Sequence, residues 1–104
     1  EKNKSLVSHI VAIVVKRSGK VPEFEEMAAT AMAVQNMWLY LSNTNRYGGY
    51  WSTPQYLMNE DFDSYLNLNK DEKFLGLFYV GELKNNVELP KGNRSNWREK
   101  VEFI

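Results

Sequence analysis

Residues 21–53 read VPEFEEMAATAMAVQNMWLYLSNTNRYGGYWST, and the first twenty or so of them decide the fold. No charged residue falls between Met27 and Leu41. Wound as an α-helix, Phe24, Met27, Ala28, Ala31, Val34, Trp38 and Leu41 recur at i, i+3, i+4 spacing along one face. Ala29, Met32, Ala33 and Leu39 cover much of the rest, so the expected helix is apolar nearly all round and should be buried nearly all round. Pro22 suits the entry, and Glu23, Glu25 and Glu26 place negative charge at the positive end of the helix dipole. Asn43, Thr44 and Asn45 close it, and Gly48-Gly49 read as a turn.

Outward from this helix the chain is short of partners for its apolar surface. His9 to Val15 (HIVAIVV) and Phe74 to Val80 (FLGLFYV) are continuous apolar runs, each expected to be a strand covered on both faces. A short helix is expected over Phe62–Asn67, begun near Asn59, with Glu60 and Asp61 in its first turn and Phe62, Tyr65 and Leu66 facing inward. Gly48–Gln55 reads as a loop rich in aromatic and hydroxyl side chains. Residues 1–8 and 84–96 read as polar and irregular. The tail Trp97–Ile104 alternates Val101 and Phe103 with charged residues, as an amphipathic strand would. One long and one short helix cannot cover two such strands, so other protein is expected to complete the core: a missing N-terminal half, a partner subunit, or both.

Composition narrows the function. The 104 residues allow one domain, and 13 basic against 13 acidic residues leave no net charge to grip nucleic acid or an anionic membrane. Without cysteine there is no disulfide or thiolate metal site, and a single histidine makes a zinc site unexpected. The apolar uncharged stretch Met27 to Leu41 is too short to span a bilayer, and no signal peptide is visible; together with the lack of cysteine this suggests a cytoplasmic setting. No nucleophile–base pair stands out. His9 reads as a structural histidine, and Glu60, Asp61 and Asp63 as a helix N-terminus. Gln35 and Asn36 read as structural polar groups that need partners if buried.

The order of these pieces resembles the C-terminal half of the nitroreductase family of flavoproteins. The matching pieces are Lys20-Val21-Pro22, the alanine-rich stretch Ala28 to Met37, Gly48-Gly49-Tyr50-Trp51, the run Leu75 to Gly81, and Lys91 with Arg94. From His9 onward the resemblance covers nearly the whole chain, so that residues 1–104 would be the second half of one nitroreductase-like domain. It implies an α+β fold with a mixed sheet and a long buried helix, a homodimer with FMN at the subunit interface, and NAD(P)H as co-substrate. Hydride would pass through the flavin to a nitroaromatic, quinone or similar acceptor. The family's upstream arginine-serine-arginine phosphate-binding stretch is not in this sequence, so the isolated chain is expected to be inactive.

The resemblance also assigns site residues. Where one subgroup has tryptophan-arginine-serine against FMN, this chain has Trp51, Ser52 and Thr53: the tryptophan matches, a hydroxyl is kept at Thr53, and the charge is lost at Ser52. Lys91 and Arg94 stand where some members bind the FMN phosphate, at a spacing one residue longer. The competing readings are that Trp51 packs in a core and that Lys91 and Arg94 belong to a solvated loop. At the level of the whole chain the alternatives are a dimerisation or structural module without flavin, and a small anion- or nucleotide-binding domain.

Overall fold

A computed structural model describes residues 7–84 and 91–104; the polar start and part of the expected irregular segment lie outside these. The elements are β1 (His9–Lys16), α1 (Glu23–Asn43), β2 (Tyr47–Ser52), α2 (Glu60–Tyr65) and β3 (Glu72–Glu82), with short 3-10 turns at Gln55–Leu57 and Trp97–Lys100. The sheet order is β1-β3-β2, and both outer strands run antiparallel to β3. β1 and β2 therefore point the same way, joined by α1, with β3 inserted between them as a split βαβ unit. The class is α+β, as expected. The sheet is wholly antiparallel among the described residues rather than mixed, because β3 occupies the slot between the two strands that α1 connects.

β2 corrects the reading of Gly48–Gln55 as a loop. Its glycines serve close approach, not a turn. A Cβ at Gly49 would lie 2.7 Å from Cε1 of the Phe78 ring, while Gly48 faces Gly81 across the ladder. Phe78 is fully buried, and its ring meets that of Trp38 edge-on with centroids 5.4 Å apart. Ile13 and Val34 complete this core, with Met37, Leu41, Trp51, Leu75 and Val80 packed around it. Alternation along β3 then puts Leu77 and Tyr79 on the opposite face, and a register shift at Leu75 brings Phe74 there too. There Phe62 of α2 packs edge-on against Phe74 at 5.0 Å, and Tyr50 stacks on Tyr79 at 5.0 Å.

Only one stripe of α1 meets the sheet. Met27, Thr30, Met37, Trp38 and Leu41 are half-buried around buried Val34, whereas Phe24 is 70 % and Tyr40 75 % exposed. The expectation of a helix buried all round does not hold within this chain. The predicted face is largely the one used, with Met27, Val34, Trp38 and Leu41 on the inner stripe; Phe24, Ala28 and Ala31 are exposed instead, and Thr30 joins the stripe. With apolar residues on every side, helical periodicity leaves the edges of that face open; the reach of Trp38 to Phe78 centres it. Gln35 and Asn36 lie on the exposed side and can be solvated. α2 begins two residues earlier than expected, its N-cap Asn59 accepting a 2.9 Å bond from the Phe62 amide, and Tyr65 is 80 % exposed rather than inward. Residues 101–104 are exposed and belong to no strand of this sheet.

An ionic clamp fixes the entry to α1. The Glu26 carboxylate accepts from the Ser18 amide at 2.7 Å, from the Ser18 hydroxyl and from the Arg17 guanidinium. Arg17 also reaches Glu23 at 3.2 Å, and Lys73 of β3 lies 3.5 Å from Glu23. Since Pro22 provides no side-chain cap, these contacts, together with the dipole, hold the first turn. The Ser18 hydrogen bonds, then those of Arg17, lower the Glu26 pKa from 4.5 to about 2. A carboxylate whose folded pKa is depressed stabilises the fold above its unfolded pKa and loses that contribution as pH falls through the folded value. Urea midpoints measured between pH 7 and pH 2 should therefore decline below about pH 4.5 and level off near 2, and Glu26→Gln should flatten part of that decline. Parallel curves for the two proteins would refute the clamp.

Candidate functional site

The residues assigned from the sequence divide into two groups. Trp51, Ser52 and Thr53 lie together at the end of β2, where the strand has β3 on one side and, among the described residues, a free edge on the other. Their conformation follows from a bulge in β3. Ile13 faces Gly76 but Val14 faces Phe74, so Leu75 is the extra residue and its carbonyl turns out of the β1 ladder. The Thr53 hydroxyl donates to that carbonyl at 3.0 Å and accepts the Trp51 indole N–H at 2.9 Å. Gly76, buried with φ 156°, makes room for both: a methyl group there would sit on Trp51 Nε1 and 2.5 Å from Thr53 Oγ1.

This geometry fixes what each residue has left to offer. The Trp51 indole packs against the core and its N–H is spent on Thr53; the Thr53 hydroxyl is spent on Leu75. Both polar groups brace the strand end. Ser52 is half-buried opposite Leu77 on the face away from α1. It carries no charge, so what this end presents to a ligand is a hydroxyl and the outer backbone groups of an edge strand, a set suited to the polar rim of a neutral ring.

Lys91 and Arg94 form the second group. Both are exposed in an irregular segment, and among the described residues neither joins an ion pair. No hydrogen bond among the described residues ties them to the Trp51–Thr53 end. His9 is exposed at the start of β1, its Nδ1 3.1 Å from Ser8 Oγ. Glu60, Asp61 and Asp63 are the first turn of α2. Among the described residues there is no cluster of three or more His, Cys, Asp or Glu able to hold a metal, and no helix long and apolar enough to cross a membrane.

Gly76 and the Leu75 bulge were not singled out from the sequence, although a glycine inside a strand pattern is the signal for such a feature. No protein-family model matches the chain, and no curated protein matches it.

The bracing is testable without a ligand. Gly76→Ala forces a methyl group onto Trp51 and Thr53 and should destabilise the fold by about 1–3 kcal/mol or more. Thr53→Val leaves the indole N–H and the Leu75 carbonyl without a partner at a partly solvated site and should cost about 1 kcal/mol. Denaturation followed by tryptophan fluorescence reads both, and an unchanged midpoint for Gly76→Ala would contradict the packing described.

Proposed function

We propose that this chain is the C-terminal half of an FMN-dependent, nitroreductase-type oxidoreductase, cytoplasmic and homodimeric, that moves hydride from NAD(P)H to nitroaromatic, quinone or similar acceptors. The observation that carries the reading is the Trp51–Thr53 end of β2, an edge strand held by the Leu75 bulge, with outer backbone groups and a hydroxyl to offer a ring system. The α+β class and the order of sequence pieces support the reading, while the antiparallel sheet departs from the mixed sheet that the resemblance implies. FMN, when bound, supplies the redox chemistry; the chain's own residues only hold and orient it. Ser52 and the backbone beside Trp51 and Thr53 would meet the ring, and Lys91 and Arg94 would meet the phosphate, Arg94 with two parallel donors.

Dimerisation would use the outer face of α1. That face carries no charge between Met27 and Leu41, and its alanines allow close approach of a second helix. Because Leu39 and Ala31 are exposed in one copy, Ala31→Lys with Leu39→Glu should leave the monomer folded while abolishing self-association in sedimentation. The tail Val101–Ile104, exposed here, would dock on the partner, and its deletion should weaken the dimer. Self-association untouched by both changes would sink the dimer.

A second reading has a specific observation behind it. The indole N–H and the Thr53 hydroxyl are both consumed internally and Ser52 lacks the charge that the related loop supplies, which suits a structural or dimerisation module without flavin. FMN titration separates the two. In a protein that includes the N-terminal half, Arg94→Ala should weaken FMN binding by about 10- to 100-fold, as expected for a lost hydrogen bond to a charged group. The isolated 104-residue chain should not quench flavin fluorescence. Binding indifferent to Arg94→Ala would misplace the phosphate, and a longer protein that takes up no flavin would favour the structural module.

A further inference from the structure

The face of the sheet turned away from α1 carries a feature that the flavin reading does not use. At the end where β2 begins, Gly48 pairs with Gly81, and the next pair on the same face is Tyr50 with Tyr79. Two glycines side by side across a ladder leave a strip of bare backbone beside a wall formed by two stacked rings, inclined at 18°. Val7 and the Leu83 side chain, which lies over Gly48, complete a slot of about 410 Å³. That volume is within the roughly 300–1,000 Å³ typical of small-molecule sites, and a mainly apolar lining with a few polar groups is also typical. The Tyr50 and Tyr79 hydroxyls are the polar handles of its wall. Burial pushes the Tyr79 phenol up, with Tyr50 and Tyr56 adding to the effect, so it keeps its proton.

Charge selects the ligand. Among the described residues Glu82 is the single charged residue lining the slot, and its carboxylate is already bound by Arg46 at 3.0 Å. An ion of either sign would lose hydration there without gaining a free counter-charge. A flat ring fits the bare Gly48–Gly81 backbone in a way that a branched aliphatic group does not, and aromatic walls favour edge or offset contacts with another ring.

We propose that the slot between the Gly48–Gly81 pair and the Tyr50–Tyr79 pair binds an uncharged, planar aromatic ring of one or two fused rings. The site stands at the Gly48 end of β2, away from Trp51–Thr53, and does not depend on flavin binding.

The test uses the 104-residue chain and three probes of one shape: quinoline, N-methylquinolinium and 2-naphthoate. Amide chemical shifts are followed at neutral pH. Quinoline should move the Gly48, Gly81 and Leu83 amides in a saturable way, and each ion should bind at least about three-fold more weakly. Tyr79→Leu keeps apolar bulk but removes the ring wall and should weaken quinoline by about three- to ten-fold. Gly81→Leu fills the slot and should weaken it by about ten-fold or more; should that variant not fold, Tyr79→Leu decides. Shifts centred elsewhere, affinities unmoved by Tyr79→Leu, or an ion binding as tightly as quinoline would overturn the proposal.

Discussion

The structure depends on one ring finding room. Phe78, at the middle of the central strand, has no exposed surface. It faces Val11 on one side and Trp51 on the other, and Trp38 closes over it from α1. Burying a side chain of this size is worth about 1.5–3 kcal/mol, and its edge-on partner adds roughly 0.5–1.5 kcal/mol. The gain requires that position 49 have no side chain, because a Cβ there would meet both the ring and the Tyr79 carbonyl. Hence a strand that is poor by propensity, Tyr-Gly-Gly-Tyr-Trp-Ser, is held in the sheet by what it lets its neighbour do.

The same fact explains which elements could be read from the sequence. β1 and β3 announce themselves as unbroken runs of β-branched and aromatic residues, and α1 by its length, its acidic first turn and the lack of breakers. β2 is hidden because two glycines flanked by tyrosines have the local signature of a turn; only the long-range contact with Phe78 distinguishes the cases. The edges of the inward face of α1 are hidden for another reason. Thr30 takes an inward position by bonding its hydroxyl to the Glu26 carbonyl at 2.9 Å, while Phe24 stays out, and no periodicity in so apolar a helix foretells that choice. Of the candidate site, the grouping of Trp51, Ser52 and Thr53 was legible from adjacency. The bulge at Leu75 that commits two of their polar groups was not, since it lies more than twenty residues away in β3 and acts through a single carbonyl.

Glycine therefore has three separate duties on this small sheet. Gly49 admits the Phe78 ring, Gly76 admits the Trp51–Thr53 pair, and Gly48 with Gly81 clears the slot on the far face. The first two are structural requirements, because a methyl group would overlap atoms that cannot retreat without unpacking the core. Gly48 is different: a methyl group there would meet only the end of the Leu83 side chain, at 3.1 Å. A bare position that the fold does not strictly demand is the kind of place where a ligand can explain a glycine.

Apolar side chains scattered singly over a protein surface need no explanation, but here Met32, Leu39 and Tyr40 share an exposed helix with Ala28, Ala29, Ala31 and Ala33, and no charge interrupts them. Gln35 and Asn36 fall in the middle of that surface. In water both are solvated at no cost. Covered by a lipid-like or purely apolar partner, each would lose about 1–3 kcal/mol of hydrogen bonding. A partner able to cover this helix must therefore offer amide or carbonyl groups at its centre and small apolar groups around them. A second copy of the same helix, crossing near Gln35, meets both conditions, because each carboxamide carries donors and an acceptor that can pair with its own equivalent.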